Sequence, residues 1–211
     1  MNTLIDFVQR TQPKEWARFE NANQVDPVRK FCTAFNNACD ADGLLSVLRY
    51  GFKHRGRRFR VCYFQPESAL NQKDAQRYAQ NEVTCNRQWF YSDTTHNSVD
   101  MVLAVNGIPV FAFELKNQFT GQTVENAKQQ WMHDRDPREV CFQFNKRILA
   151  YFCVDHTEVW MTTKLAGKNT YFLPFNQAPT EPETTAARAI RQTQTVTRQR
   201  ICGRMSFRRT V

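Results

Sequence analysis

Asp100, Glu114 and Lys116 are the side chains whose types and spacing could do chemistry. Glu114 and Lys116 flank Leu115 and finish the apolar run Val110-Phe111-Ala112-Phe113. Alternate residues of a strand point to one face. The carboxylate and the ammonium therefore share a face, and Leu115 is expected to turn toward the core. With Asp100 opposite Glu114, two carboxylates and one ammonium would meet at a sheet edge. Two close carboxylates both stay ionised only beside a compensating cation. Mg²⁺, or Mn²⁺ in its place, suits such oxygen ligands, and the backbone carbonyl of Leu115 offers one more. A bound ion of this kind polarises a phosphoryl oxygen and acidifies a water. Lys116 would orient that water, assist its deprotonation or stabilise the phosphate charge. The chemistry is hydrolysis of a phosphodiester. The bland alternative is two strands with a surface Glu–Lys pair, and the triplet alone does not separate the two.

Those three residues need a strand pair to hold them. Ser98–Val105 and the segment from Pro109 to Lys116 read as strands, joined at Asn106-Gly107, a strong hairpin signal. A strict two-residue loop puts Asp100 opposite Phe113 and Glu114 on the other face. A bulge or a three-residue loop, with Gly107 in the left-handed region, brings Asp100 opposite Glu114. The sequence thus predicts a bulged or three-residue hairpin. Around it, residues 1–50 read as helical, with Asp26-Pro27 as a helix start and Phe31, Ala34, Phe35 and Ala38 at helical spacing. Phe59–Phe64 reads as a strand, 66–82 as loop with some helix, and Gln88–Tyr91 as a short strand. Gln122–Arg135 reads as a helix with Val124, Ala127 and Trp131 on one face. Ile148–Val154 and Glu158–Thr162 form another strand pair. This order predicts an α/β fold with a mixed β-sheet flanked by helices.

Composition narrows the function classes. The chain has 211 residues and 17 Phe, enough for one domain with a real core. No apolar run is long enough to span a membrane, and the N-terminus does not read as a secretory signal. The seven cysteines lack C-x-x-C spacing and the four histidines lack H-x-x-x-H spacing, so reduced thiols in a cytoplasmic protein are expected and a zinc site is not. The net charge is +9, but residues 177–211 hold seven Arg against two Glu. Bulk basicity is thus weak support for nucleic-acid binding. The cluster Lys53, His54, Arg55, Arg57, Arg58 and Arg60 is a better candidate, with a solvated turn as its plain alternative.

Several dispersed motifs carry a family resemblance. Ser98-Val99-Asp100-Met101-Val102-Leu103, Asn106-Gly107-Ile108-Pro109-Val110 and Glu114-Leu115-Lys116-Asn117 come first. Asp134-Arg135-Asp136-Pro137-Arg138, Met161-Thr162-Thr163 and Phe172-Leu173-Pro174-Phe175-Asn176-Gln177 follow in order. Across residues 40–177 the chain resembles the N-terminal endonuclease domain of the type I restriction enzyme motor subunit, in the PD-(D/E)xK nuclease superfamily. The resemblance implies a Mg²⁺-dependent nuclease with Asp100, Glu114 and Lys116 at its catalytic positions. Val99 stands where the class has Pro. It also implies a Gln-x-x-x-Tyr motif on the following helix. Gln130 is taken as the equivalent Gln, with its neighbour Gln129 as the alternative; Asp134 or His133 stands where the Tyr would be, and an exposed helix residue is the plain reading of Gln130. Arg135 and Lys128 would contact phosphate or merely solvate the helix. Double-stranded DNA is the implied substrate, and methyltransferase and specificity subunits the implied partners. ATP belongs to the full-length subunit, since no G-x-x-x-x-G-K-[ST] loop is present here. A silent DNA-binding or docking module and a stand-alone repair nuclease are the alternatives.

The expected organisation is one nuclease domain over residues 1–177, helical to about 55 and catalytic from about 56, then an irregular basic tail over 178–211. In the resembling family, Gly-Ala-Gly-Asn-Pro and then Tyr-Leu-Trp-Glu follow the Phe172–Gln177 motif. Codons for Ala187-Arg188-Ala189-Ile190-Arg191, read one base earlier, can encode the first. Those for Ile201-Cys202-Gly203-Arg204-Met205-Ser206-Phe207, shifted alike, can encode Tyr-Leu-Trp-Glu-Asp-Val-Leu. A frameshift just after Gln177 that truncated a longer subunit is therefore expected, and the coding DNA decides it.

Overall fold

The computed structural model describes residues 2–68, 71–92 and 95–176. The basic tail and its frameshift reading lie outside the described residues. Four helices come first: α1 (Asn2–Thr11), α2 (Pro13–Ala22), α3 (Pro27–Asp42) and α4 (Leu44–Tyr50). Asp26 starts α3 by accepting a hydrogen bond from Arg29 N–H, and Pro27 fits the first turn, where no N–H is needed. A small hairpin follows, β1 (Phe52–His54) and β2 (Arg57–Phe59). It turns at Arg55-Gly56, both at positive φ. The expected strand Phe59–Phe64 is thus confined to its first residue. Val61 and Cys62 beyond it are buried in the helical layer instead.

Helix α5 (Gln72–Tyr78) leads into the six-stranded sheet of β3 (Val83–Phe90), β4 (Ser98–Val105), β5 (Ile108–Leu115), β6 (Ala150–Val154), β7 (Val159–Thr162) and β8 (Leu173–Pro174). The strands lie in sequence order, and all neighbours are antiparallel except β5 and β6. This is the mixed α/β architecture read from the sequence. Strand β3 is twice as long as the expected Gln88–Tyr91. Its ladder with β4 skips Gln88, which has φ 48° and stands opposite Asp100.

Between β5 and β6 runs α6 (Val124–Gln129), which widens into a π-helical turn over Gln130–Asp134. The Asn126 side chain accepts from Thr123 N–H, and Asp155 Oδ2 accepts from Val124 N–H. Asp155 also accepts from Thr157 and Glu158 N–H, so it ties the helix start to the β6–β7 turn.

Both helical layers cover the same face of β5. Ile108 and Val110 enter a cluster with Leu4, Phe7, Phe31 and Phe59, where ring pairs meet edge-to-face, as in Phe31–Phe59 at 5.2 Å and 86°. Ala112 enters a second cluster with Val124, Ala127, Trp131 and Tyr151. The opposite face carries Phe113 stacked on Phe152 at 4.8 Å, beside exposed Phe111 and Phe175. Six cysteines among the described residues are free, and the buried ones pack as small hydrophobes.

Candidate active site

The β4–β5 hairpin decides whether the two carboxylates meet. Its turn is regular: Val105 pairs with Ile108, and Asn106 and Gly107 sit at φ 51° and 78°. Left there, the register would misplace Asp100. It does not stay there. Ala104 pairs with Pro109 but Leu103 pairs with Phe111, so Val110 is a bulge. Beyond it Met101 pairs with Phe113, and the next rung puts Asp100 opposite Glu114. The predicted bulge is present, but Gly107 belongs to the turn and Val110 supplies the extra residue. The side chain of Val110 is buried in the helical cluster, which fixes the shift in place.

Glu114 is 0% exposed. Its Oε1 accepts twice from Arg135, from Nε at 3.1 Å and from Nη2 at 2.6 Å. Arg135 Nη2 also donates to the Ser98 carbonyl at 2.9 Å. One guanidinium thus joins the start of β4 to the end of β5. Among the described residues the other oxygen, Glu114 Oε2, is buried without a hydrogen-bond partner. An orphan carboxylate oxygen costs about 1–3 kcal/mol or more, so it asks for an explanation. Burial pushes the Glu114 carboxyl up to about 7 against the pull of Arg135, and neighbouring Asp100 pushes it the same way. Asp100 is half-buried, and its Oδ2 accepts from Leu115 N–H at 2.8 Å. The acidic side chains therefore stand together at the end of the strand pair.

Lys116 follows on the same face, and its Nζ donates to Gln130 Oε1 at 2.5 Å. The sequence left Gln130 without the expected Tyr four residues on. The π-helical turn gives a physical substitute. Gln130 opens that turn, and Arg135 follows its last residue, Asp134, in extended backbone. Gln130 thus reaches Lys116 while Arg135 reaches Glu114. All four sequence-predicted site side chains come into one constellation: Asp100, Glu114, Lys116 and Gln130.

Three expectations are corrected. Leu115 does not turn toward the core; it is 42% exposed because no helix covers that face among the described residues. Arg135 neither faces phosphate nor solvates the helix, being buried against Glu114. Lys128 is equally occupied: it pairs with Glu125 at 2.6 Å and lies over the Trp160 ring at 3.5 Å. The role of Arg135 was missed because spacing alone does not reveal a π-helical turn. Its signal was the Asp134-Arg135-Asp136-Pro137-Arg138 motif.

Could these residues hold a metal? Among the described residues no three His, Cys, Asp or Glu side chains gather as a complete ligand set. Glu114 Oε2 and Asp100 do stand side by side as hard oxygen donors. Such a set fits a cation that keeps most of its waters, as Mg²⁺ does. The bare buried oxygen supports that fit, because a divalent ion would satisfy it.

The family comparison covers this whole constellation. The family described as type I restriction enzyme R protein N terminus matches residues 9–170. Comparisons with curated proteins and with solved structures returned no match. The matched span contains the hairpin, the π-helical turn and β7, and this chain belongs to the family of type I restriction enzyme R protein N termini.

Proposed function

We propose that this chain is the metal-dependent DNA-cleaving part of a type I restriction subunit, with Asp100 and Glu114 as metal ligands. The observation that carries the reading is Glu114 Oε2, buried beside Asp100 with no partner. Mg²⁺, with Mn²⁺ as a substitute, would supply a polarised phosphoryl oxygen and an acidified water. Glu114 and Asp100 would hold it, together with the Leu115 carbonyl.

The chain's own residues do the remaining work. Arg135 is a positioning residue: its Nε and Nη2 both donate to Oε1, which leaves Oε2 free to take a cation. Asp100 is fixed by Leu115 N–H, so both carboxylates have one orientation. Gln130 holds the Lys116 ammonium where it can stabilise the developing phosphate charge. Sequence choice would lie elsewhere, because such a site meets mainly backbone. In the complete assembly, methyltransferase and specificity subunits and an ATP-driven motor would act beside it in the cytoplasm.

The test is cleavage of supercoiled plasmid by wild type and Lys116→Ala, with Mg²⁺ and with EDTA. The reading expects cleavage only by the wild type and only with Mg²⁺. Equal cleavage by both proteins contradicts it. A wild type that binds DNA yet never cuts, even with its partner subunits, favours the silent module.

A further inference from the structure

One basic surface among the described residues plays no role in the chemistry above. A cleft of about 1030 Å³ opens between α3 and the β1–β2 hairpin. Arg29 and Lys30 line it from the helix, and Lys53, Arg55 and Arg58 from the hairpin. Among the described residues none of these five forms an ion pair. The cleft's carboxylates, Asp26 and Asp42, are fewer, and Asp26 is already engaged as the cap of α3. Tyr50 lies at the same cleft, 60% exposed.

The hairpin register sharpens the point. Lys53 stands directly opposite Arg58, and His54 opposite Arg57. Like charges on one rung destabilise a strand pair. A sequence selected for hairpin stability alone would place an acid on one side. An anion lying across the rung removes the repulsion. A row of cations with an exposed aromatic beside it is the surface that a sugar–phosphate backbone fits.

Its place in the fold sets it apart from the triad. The helical layer meets β5 at Ile108 and Val110, whereas Glu114 lies near the strand's far end. At ~3.3 Å per residue, about 13 to 20 Å of strand lies between those contacts and Glu114. We propose that this cleft binds the backbone of DNA at a second contact, remote from the bond being cut. The inference deepens the nuclease reading by adding a substrate contact, but it stands on a different surface.

The test is fluorescence anisotropy with a labelled DNA duplex in EDTA, across a salt series. Lys53→Glu with Arg58→Glu is expected to weaken binding at least ~10-fold and to flatten the salt slope by about 2. Lys73→Glu with Lys168→Glu makes the same charge change on exposed residues away from the cleft, and is expected to cost much less. Equal losses in both pairs, or none in the cleft pair, overturn the proposal. So does polyglutamate that displaces the duplex as well, per charge, as unlabelled DNA, which would point to an acidic protein. Lys53→Glu alone guards against misfolding: it places opposite charges on one rung, so it should weaken binding without lowering the Tm. If Lys116→Ala still cuts, the nuclease reading fails while the anisotropy result stands.

Discussion

Asn106 and Glu114 are both fully buried polar side chains on one hairpin, at opposite ends of β5, and they are treated in opposite ways. Asn106 accepts from Glu82 N–H and donates to the Val61 carbonyl and to Asn81 Oδ1. Its groups knit the turn to the segments around it. Glu114 has one oxygen held twice by Arg135 and the other with no hydrogen-bond partner among the described residues. A satisfied buried amide is a structural device, because removing it leaves partners unpaired. A half-satisfied buried carboxylate is a cost that stability alone does not account for. It makes sense where a cation completes it.

The contrast can be broken in several ways. The largest effect is expected from Arg135→Met, which strands a buried carboxylate and should cost about 3–5 kcal/mol in a denaturant titration. Pairing it with Glu114→Leu should restore most of that loss while leaving cleavage absent. If the pair stays as unstable as the single variant, the ion pair is not the reason. Glu114→Gln should lower plasmid cleavage about 10²–10³-fold. Asn106→Ala should instead lose about 2–4 kcal/mol of stability and keep its cleavage rate per folded molecule. The comparison fails if those two outcomes are exchanged.

Smaller effects sharpen it. Gln130→Ala should slow cleavage about 10–100-fold, as supporting residues of metal sites do, with little change in Tm. A large fall in Tm would make Gln130 a structural residue like Asn106. The smallest effect is on pH. Burial holds the folded Glu114 carboxyl up to about 7, against an ordinary value of 4.5. The folded state then keeps a proton that the unfolded state releases. Without divalent cation, stability should fall as pH rises from 4.5 through 7, and Glu114→Gln should flatten that slope. A slope of the opposite sign would mean that Arg135 outweighs burial.

The hairpin, the mixed sheet and the shared face of Glu114 and Lys116 were legible in the sequence because each has a local signal. Asn106-Gly107 announces its turn, and alternate residues share a face. What it did not show depends on tertiary packing. The bulge falls at Val110 because that side chain enters the aromatic cluster, a contact with no local mark. The helix expected over Gln122–Arg135 ends in a π-helical turn at Asp134, so Arg135 leaves it in extended backbone, which local spacing does not show. Leu115 looked like a core residue because its type is apolar, but among the described residues it is left partly exposed. Asp155 was passed over because it lies in a turn, yet it fixes the helix that carries Gln130.

Isothermal titration of Mg²⁺ into wild type, Asp100→Asn, Glu114→Gln and Asn106→Ala tests the central claim most directly. The account predicts that wild type and Asn106→Ala bind alike, and that the two carboxylate variants bind at least ~10-fold more weakly. Equal affinity in all four proteins would contradict it, since the bare oxygen would then have no bearing on the cation.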